Sequence, residues 1–426
     1  MSTQLAKPRL PKFITGFRVW LFALLTVMVM GVLGGVYVMQ QGLHVTNLTD
    51  LVPWGLWITI DLSAIAMSAG AFSLCAVVYL VGIKRFQPVA RTATYIGLIG
   101  YTMAVLCLML DIGRPDRFWH ALVYWNPHSL LWEVTVCVTL YLCVLALETL
   151  PILARSEWLQ RRYPIVAHSF SRVHHIAPVL AVIGLGLSML HQSSLGAAYG
   201  VLKARPFWYR PDLSVLFILS AVVGGISLTI LASMVSSTVS KRARVNDDLL
   251  DTLSFVVGWI LVGYLYFRFW DSFAMTYTYS AGRTEGLGLV TQGPLSFNFW
   301  IGEILFGAVI PIIILLKKSL RSNPVLRMLA LLLVVGGIIA YRWDTNLAGQ
   351  MVLLTYLPQE ISARYTEYFP SAIEFLTGAG IVAYGLLFFT IGVRYFKVVD
   401  HTVMPHEFEP VVAPEPEPQT VIPAAQ

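Results

Sequence analysis

Charge is what this chain has least of. Asp, Glu, Lys and Arg make up 12% of its 426 residues and hydrophobic side chains 57%, about half the charged share of an ordinary soluble domain. So little charge excludes a water-soluble globule and predicts an all-α integral membrane protein. Cysteine is scarce too: Cys75, Cys107, Cys137 and Cys143 all fall in apolar stretches and no CxxC occurs. That argues against a disulfide frame or a Cys-bound metal cluster and leaves the four as small buried hydrophobes. The chain also lacks GxxxxGK[ST] and HExxH, so no nucleotide- or zinc-dependent soluble module can be argued. Its nine histidines fall near interfaces, in loops or in the tail. A membrane b-type haem takes axial histidines from facing helices, so no haem and no metal are expected in this chain. The net charge of +6 is carried by membrane-flanking residues and calls for no nucleic-acid partner.

Long apolar runs are what the chain does have. Taking about 20 apolar residues per crossing, we expect about ten transmembrane helices near 17–41, 52–83, 93–112, 129–154, 173–192, 213–238, 249–271, 296–316, 325–342 and 370–396. Alternate connections hold 20 of the 29 Lys and Arg, which predicts both termini in the cytoplasm of a bacterial cytoplasmic (inner) membrane. Residues 1–16 then form a cytoplasmic N-terminal segment, 17–397 the membrane domain, and 398–426 a disordered Pro/Glu-rich cytoplasmic tail. SLLWEV (129–134) and NFWIGEI (298–304) each place Trp and Glu at the outer start of a span, a faint repeat. It suggests two four-helix bundles, about 52–192 and 213–342, with the first and last helices flanking them. Gly34–Gly35, Gly224–Gly225 and Gly336–Gly337 fall within spans, where close helix packing is expected.

An ionisable group inside a span costs about 2.5–3.5 kcal/mol on the insertion scale, so each asks for a reason. Trp54, Trp57, Asp61, Ala64 and Ser68 are expected on one face of the second span by their spacing. Asp111 and Arg114 close the third span, three apart and able to pair. Asn126, His128, Ser129, Trp132 and Glu133 open the fourth, and LHQSS with His191, Gln192 and Ser193 ends the fifth. Arg268, Asp271, Arg342 and Asp344 either snorkel to the interface or join this outer cluster, and Glu374 is placed to cap a helix. On the cytoplasmic side the ionisable groups to note are Glu148, Asp251 and His174/His175. Carboxylates within a bundle leave three classes open: a quinone site, an ion or small-solute transporter, or a membrane anchor without chemistry of its own.

VPWGLWITIDL (52–62), LDIGR (110–114), NPHSLLWEVTVCVTLYLCVLALE (126–148), LHQSSLG (190–196) and FWIGEILFGAVIP (299–311) together resemble the polysulfide reductase NrfD family. The likeness is strongest to its ten-helix HybB-like branch, which includes the membrane subunit of periplasmic nickel-iron hydrogenase. The resemblance implies a subunit without a redox centre of its own, exchanging two electrons between a lipid quinone (menaquinone or ubiquinone) and an iron-sulfur protein docked on the outer, periplasmic face. A further catalytic or cytochrome subunit would complete a hetero-oligomeric respiratory or photosynthetic complex. The outer insertion near 272–295 and the acidic tail depart from the hydrogenase type and leave open whether the partner is a hydrogenase, a molybdopterin enzyme or a multihaem cytochrome. In that reading His191 contacts one quinone carbonyl and exchanges protons with it. Asp111, oriented by Arg114, and Glu133 relay protons outward, and Asp61 extends a path inward. Trp54, Trp57 and Trp132 wall the ring, and His128, Gln192 and Ser193 supply polar contacts.

Overall fold

The computed structural model describes residues 16–401 apart from 80 and 359. Most of the expected N-terminal segment (1–16) and tail (398–426) therefore lies outside the described residues. Ten helices are long and apolar enough to cross a membrane: α1 Gly16–Gln41, α2 Leu56–Tyr79, α3 Gln87–Asp111, α4 Leu130–Leu153, α5 Ala177–Gly200, α6 Asp212–Val239, α7 Asp247–Ala274, α8 Asn298–Leu316, α9 Pro324–Met351 and α10 Ala372–Tyr395. Helices are the economical choice because a bilayer offers the backbone no hydrogen-bond partners.

Helix neighbours fall into two groups. Helix α2 packs on α3 and α5, α4 on α3 and α5; α6 packs on α7 and α9, and α8 joins α7 to α9. These two four-helix groups meet where α6 lies against α2 and α5, while α1 and α10 pair at the flank against α3. Small residues permit the closest approaches. A Cβ added at Gly225 in α6 would come within 2.1 Å of the Ala71 backbone in α2, and one at Gly337 in α9 within 2.3 Å of Gly307 in α8. Gly34 likewise fits against Thr377 and Ile373 of α10, whereas Gly336 faces open space.

Two helices run further than the sequence suggests. The fifth span, expected to end at 192, continues as helix to Gly200, because Ser193–Gly200 is small enough to pack on α6. Gly196 lies against the Ser214 backbone there, and Ser214 Oγ donates to the Ser193 carbonyl at 3.0 Å. LHQSS is thus inside a helix rather than at its end. The ninth runs to Met351, its polar residues Arg342, Asp344, Asn346 and Gln350 all buried. Its chain then turns into a hairpin of β1 (Val352–Leu357) and β2 (Glu360–Tyr365), antiparallel with Val352 opposite Tyr365. The insertion 272–295 carries a short helix, Arg283–Thr291. Helix α8 winds with π-type turns over Asn298–Val309 before resuming α geometry. Of the four cysteines, Cys75, Cys107 and Cys137 are buried; Cys143 is exposed on α4, against expectation, because that helix presents much of its surface outward.

Candidate quinone site at the junction of the two bundles

The first bundle holds several buried polar atoms that have no hydrogen-bond partner. His191 and Gln192 of α5 are fully buried and Asp61 of α2 is 4% exposed. His191 Nδ1 shares a 2.7 Å hydrogen bond with the Tyr101 hydroxyl of α3, which fixes the imidazole plane and leaves Nε2 without a partner. Asp61 Oδ1, Asp111 Oδ1, Tyr141 Oη and Gln192 Nε2 are likewise buried and unpaired. Each such atom forgoes about 1–3 kcal/mol of desolvation when nothing binds it. The Tyr141 ring meets Tyr101 edge-on at 4.5 Å between centroids, which brings α4 up to the Tyr101–His191 pair of α3 and α5. Asp61 lies close enough to Asp111 and Tyr101 for direct electrostatic interaction. Counting from the Leu56 end of α2, Asp61 lies about 8 Å into the helix, and His191 about 14 Å from the Gly200 end of α5, at 1.5 Å per residue.

Arg342 of α9 closes this junction from the second bundle. Its guanidinium lies 3.8 Å over the Phe217 ring, and Nη2 donates to Ser220 Oγ at 2.8 Å, to the Phe217 carbonyl at 3.0 Å and to Gln192 Oε1 at 3.3 Å. Its Nε and Nη1 stay unpaired. A charge held in this way belongs to the bundle junction and does not snorkel. Below the mouth, Asn346 and Gln350 donate to the Trp54 carbonyl at 2.9 and 2.8 Å and lock the start of α2 onto α9.

Several expected residues lie elsewhere. Arg114 does not orient Asp111: the helix ends at Asp111, Gly113 adopts φ +70°, and the reversed chain carries Arg114 out to an exposed contact with Asp116 at 3.7 Å. Trp54 and Trp57 do not share a face, since α2 begins only at Leu56. Trp54 stacks with Trp208 and meets Tyr199, whereas Trp57 turns to the α10 side and donates to Thr377 Oγ1 at 2.7 Å. His128 is exposed, and Trp132 and Glu133 are partly exposed, Trp132 donating to the Ala121 carbonyl at 2.8 Å. Ser193 spends its hydroxyl on the Leu190 carbonyl. Glu374 is a helix cap, as its position suggests: it closes a capping box with Ser371 and also accepts from Asn47 N and the Tyr368 hydroxyl. Arg268, Asp271 and Asp344 are buried rather than interfacial.

Tyr101, Tyr141 and Arg342 are the site residues that sequence reasoning passed over or left open. A tyrosine in mid-span was the available signal, because its hydroxyl needs a partner when buried in lipid.

The family model for the polysulphide reductase NrfD matches residues 44–354. The chain is a member of the NrfD family. This NrfD-family chain is 33% identical over 395 residues to the integral membrane subunit of menaquinone reductase from Nitratidesulfovibrio vulgaris Hildenborough, covering 90% of this chain and 92% of the relative. It is 25% identical over 373 residues to the integral membrane subunit of an Hdr-like menaquinol oxidoreductase from Archaeoglobus fulgidus, covering 85% and 89%. It is also 26% identical over 370 residues to the probable Ni/Fe-hydrogenase 2 b-type cytochrome subunit of Escherichia coli K12, covering 83% and 86%. As for the haem that last name carries, His191 is the one histidine within α1–α10 among the described residues, and Tyr101 occupies its Nδ1. The helices of this NrfD-family member do not supply a facing pair of axial histidines.

Proposed function

We propose that this chain is the quinone-binding membrane subunit of a respiratory oxidoreductase complex in a bacterial inner membrane. It exchanges two electrons and two protons between menaquinone or ubiquinone and an iron-sulfur partner on the cation-poor face, which the distribution of Lys and Arg makes the periplasmic one. The observation that carries the reading is His191: buried, aimed by Tyr101, and left with a free Nε2 among further unpaired polar atoms. A quinone needs hydrogen bonds at its carbonyls and acid–base groups within reach. His191 serves one carbonyl, with Gln192 beside it. Asp61 and Asp111 exchange a proton with the cation-poor side, where Glu133, His128, Trp132 and Arg114 line the approach. Trp54 and Trp57 steady the start of α2, and Ser193 stiffens α5, so that these three position the contacting residues. The N-terminus and the tail lie in the cytoplasm.

The test is a titration of the purified full-length protein with a fluorescent quinol analogue. Saturable quenching in wild type should weaken about ten- to a hundredfold in His191→Ala, the equivalent of one or two lost polar contacts, with the thermal midpoint little changed. Undiminished affinity in a folded His191→Ala variant would move the site elsewhere.

A further inference from the structure

The connection from α4 to α5, residues 154–176, carries Arg155, Arg161, Arg162 and Arg172 against one acid, Glu157. Helix α5 has 24 residues, about 36 Å at 1.5 Å each, which spans the hydrocarbon core unaided. What precedes it therefore lies along the cation-rich membrane surface. It is folded there as two short helices, Glu157–Arg162 and Pro164–Arg172. Pro164 divides them, because the residue before a proline is pushed out of the helical region, and Tyr163 takes φ −140° and ψ 67°. The second helix packs on α4, with Ala167 buried and Ile165 80% exposed. Spacings of three and four put Trp158, Arg161 and Arg162 on one side of the first helix. Together with Glu157 they line a shallow pocket of about 680 Å³, open to solvent. The break at Tyr163 brings its ring edge-on to Trp158, 5.7 Å between centroids, and places it 5.7 Å from the Arg162 guanidinium. Glu157 is met by Lys397 at 3.5 Å. No ion pair among the described residues involves Arg161, Arg162 or Arg172.

We propose that this pocket binds the headgroup of an anionic phospholipid. Arg161 and Arg162 take the phosphodiester, each offering a planar fork of N–H donors to its free oxygens. Trp158 and Tyr163 sit at the level of the glycerol, where amphipathic rings settle, and Ile165 dips toward the acyl chains. Charge and apolar surface together select this occupant. A loop that met only water would have no use for Trp158, 67% exposed, beside its arginines, whereas a lipid engages both. Anionic headgroups attract cations held at the membrane surface, and the one carboxylate that would repel a phosphate is occupied by Lys397. The pocket is also fixed to a span: Gln160 Nε2 donates to the Ala154 carbonyl at 3.0 Å, one residue past the end of α4. A lipid held here is thereby tied to the cation-rich end of that helix. The assignment needs only that α4 and α5 cross the membrane, and it stands apart from the quinone reading.

The test uses the purified full-length protein, stripped of native lipid and titrated in mixed micelles with phosphatidylglycerol brominated high on its acyl chains, which quenches tryptophan on contact. Subtracting the titration of Trp158→Phe from that of wild type isolates Trp158 from the rest of the twelve tryptophans. An arginine near a headgroup is worth about fivefold in affinity. Quenching of Trp158 should therefore saturate about twenty-five- to thirtyfold more tightly with brominated phosphatidylglycerol than with brominated phosphatidylcholine. The double variant Arg161→Gln, Arg162→Gln should bring the first lipid down to the level of the second, with the thermal midpoint unchanged because both side chains are exposed. Arg161→Lys with Arg162→Lys keeps the charge and should stay within about fivefold of wild type. Equal affinity for the two lipids, or undiminished phosphatidylglycerol binding in the glutamine variant, overturns the proposal. Relief of the quenching by millimolar inorganic phosphate would assign the pocket to a soluble anion and overturn it as well.

Discussion

Most buried charges of the second bundle are ion-paired, whereas Asp61, Asp111, Glu148 and His191 inside the first bundle form no ion pair among the described residues. In the second, Arg268 of α7 bonds Glu303 of α8 at 2.7 Å through Nε and Asp271 at 2.8 Å through Nη1, Tyr264 adds a 2.6 Å bond to Glu303, and Arg210 meets Asp271 at 3.1 Å. At the cation-rich end Arg321 and Arg327 close on Asp251 at 2.9 and 3.4 Å, and Arg327 also reaches Asp247. Arg210, Arg268, Asp271 and Glu303 are all nine-tenths buried or more. In the first bundle, by contrast, Asp61, Asp111, Tyr141, Glu148 and His191 each keep an unpaired atom. Saturated charges hold helices in register; unsaturated ones are left for something that arrives.

The comparison breaks most visibly at Arg268. Arg268→Ala leaves Glu303 as an uncompensated buried charge and Asp271 with Arg210 as its one cation, a loss of about 3–5 kcal/mol, seen as a large fall in the thermal midpoint and in the yield of monodisperse protein. An unchanged midpoint would mean the network does not hold the second bundle together. Asp61→Asn sharpens the other side. Because Asp61 Oδ1 bonds nothing in the protein, this substitution should leave stability the same or higher, while quinone turnover of the assembled complex falls about a hundred- to ten-thousandfold as an acid–base group is lost. A destabilised Asp61→Asn variant would place that carboxylate with the structural charges. The mildest change belongs to neither bundle: Ser371→Ala removes the α10 cap, costing about 1 kcal/mol and leaving analogue affinity untouched.

The helices were legible in the sequence because bilayer thickness acts on every one of them alike, and Asp61, Asp111 and His191 stood out because a polar group within an apolar run is conspicuous. Partners were harder to read. The spacing of Asp111 and Arg114 suggests a pair, but only the backbone shows that Gly113 reverses the chain between them. Arg268 and Arg342 look alike in sequence, each at the end of a span, and only tertiary neighbours separate the saturated guanidinium from the half-satisfied one. LHQSS reads as a helix end because its residues are polar and small; those small residues are what allow α5 to continue against α6.

In the 2.7 Å contact between Tyr101 and His191 Nδ1 either partner can be the donor, according to which ring nitrogen carries the imidazole proton. With the phenol as donor, the far nitrogen of the ring carries hydrogen and offers it to a quinone oxygen. With the ring as donor, the far nitrogen is a bare lone pair, ready to accept hydrogen from a quinol. Moving the ring proton from one nitrogen to the other, with the hydroxyl turned to match, would on the quinone reading convert the same residue from acid to base, leaving the direction of the reaction to the potential of whatever docks outside.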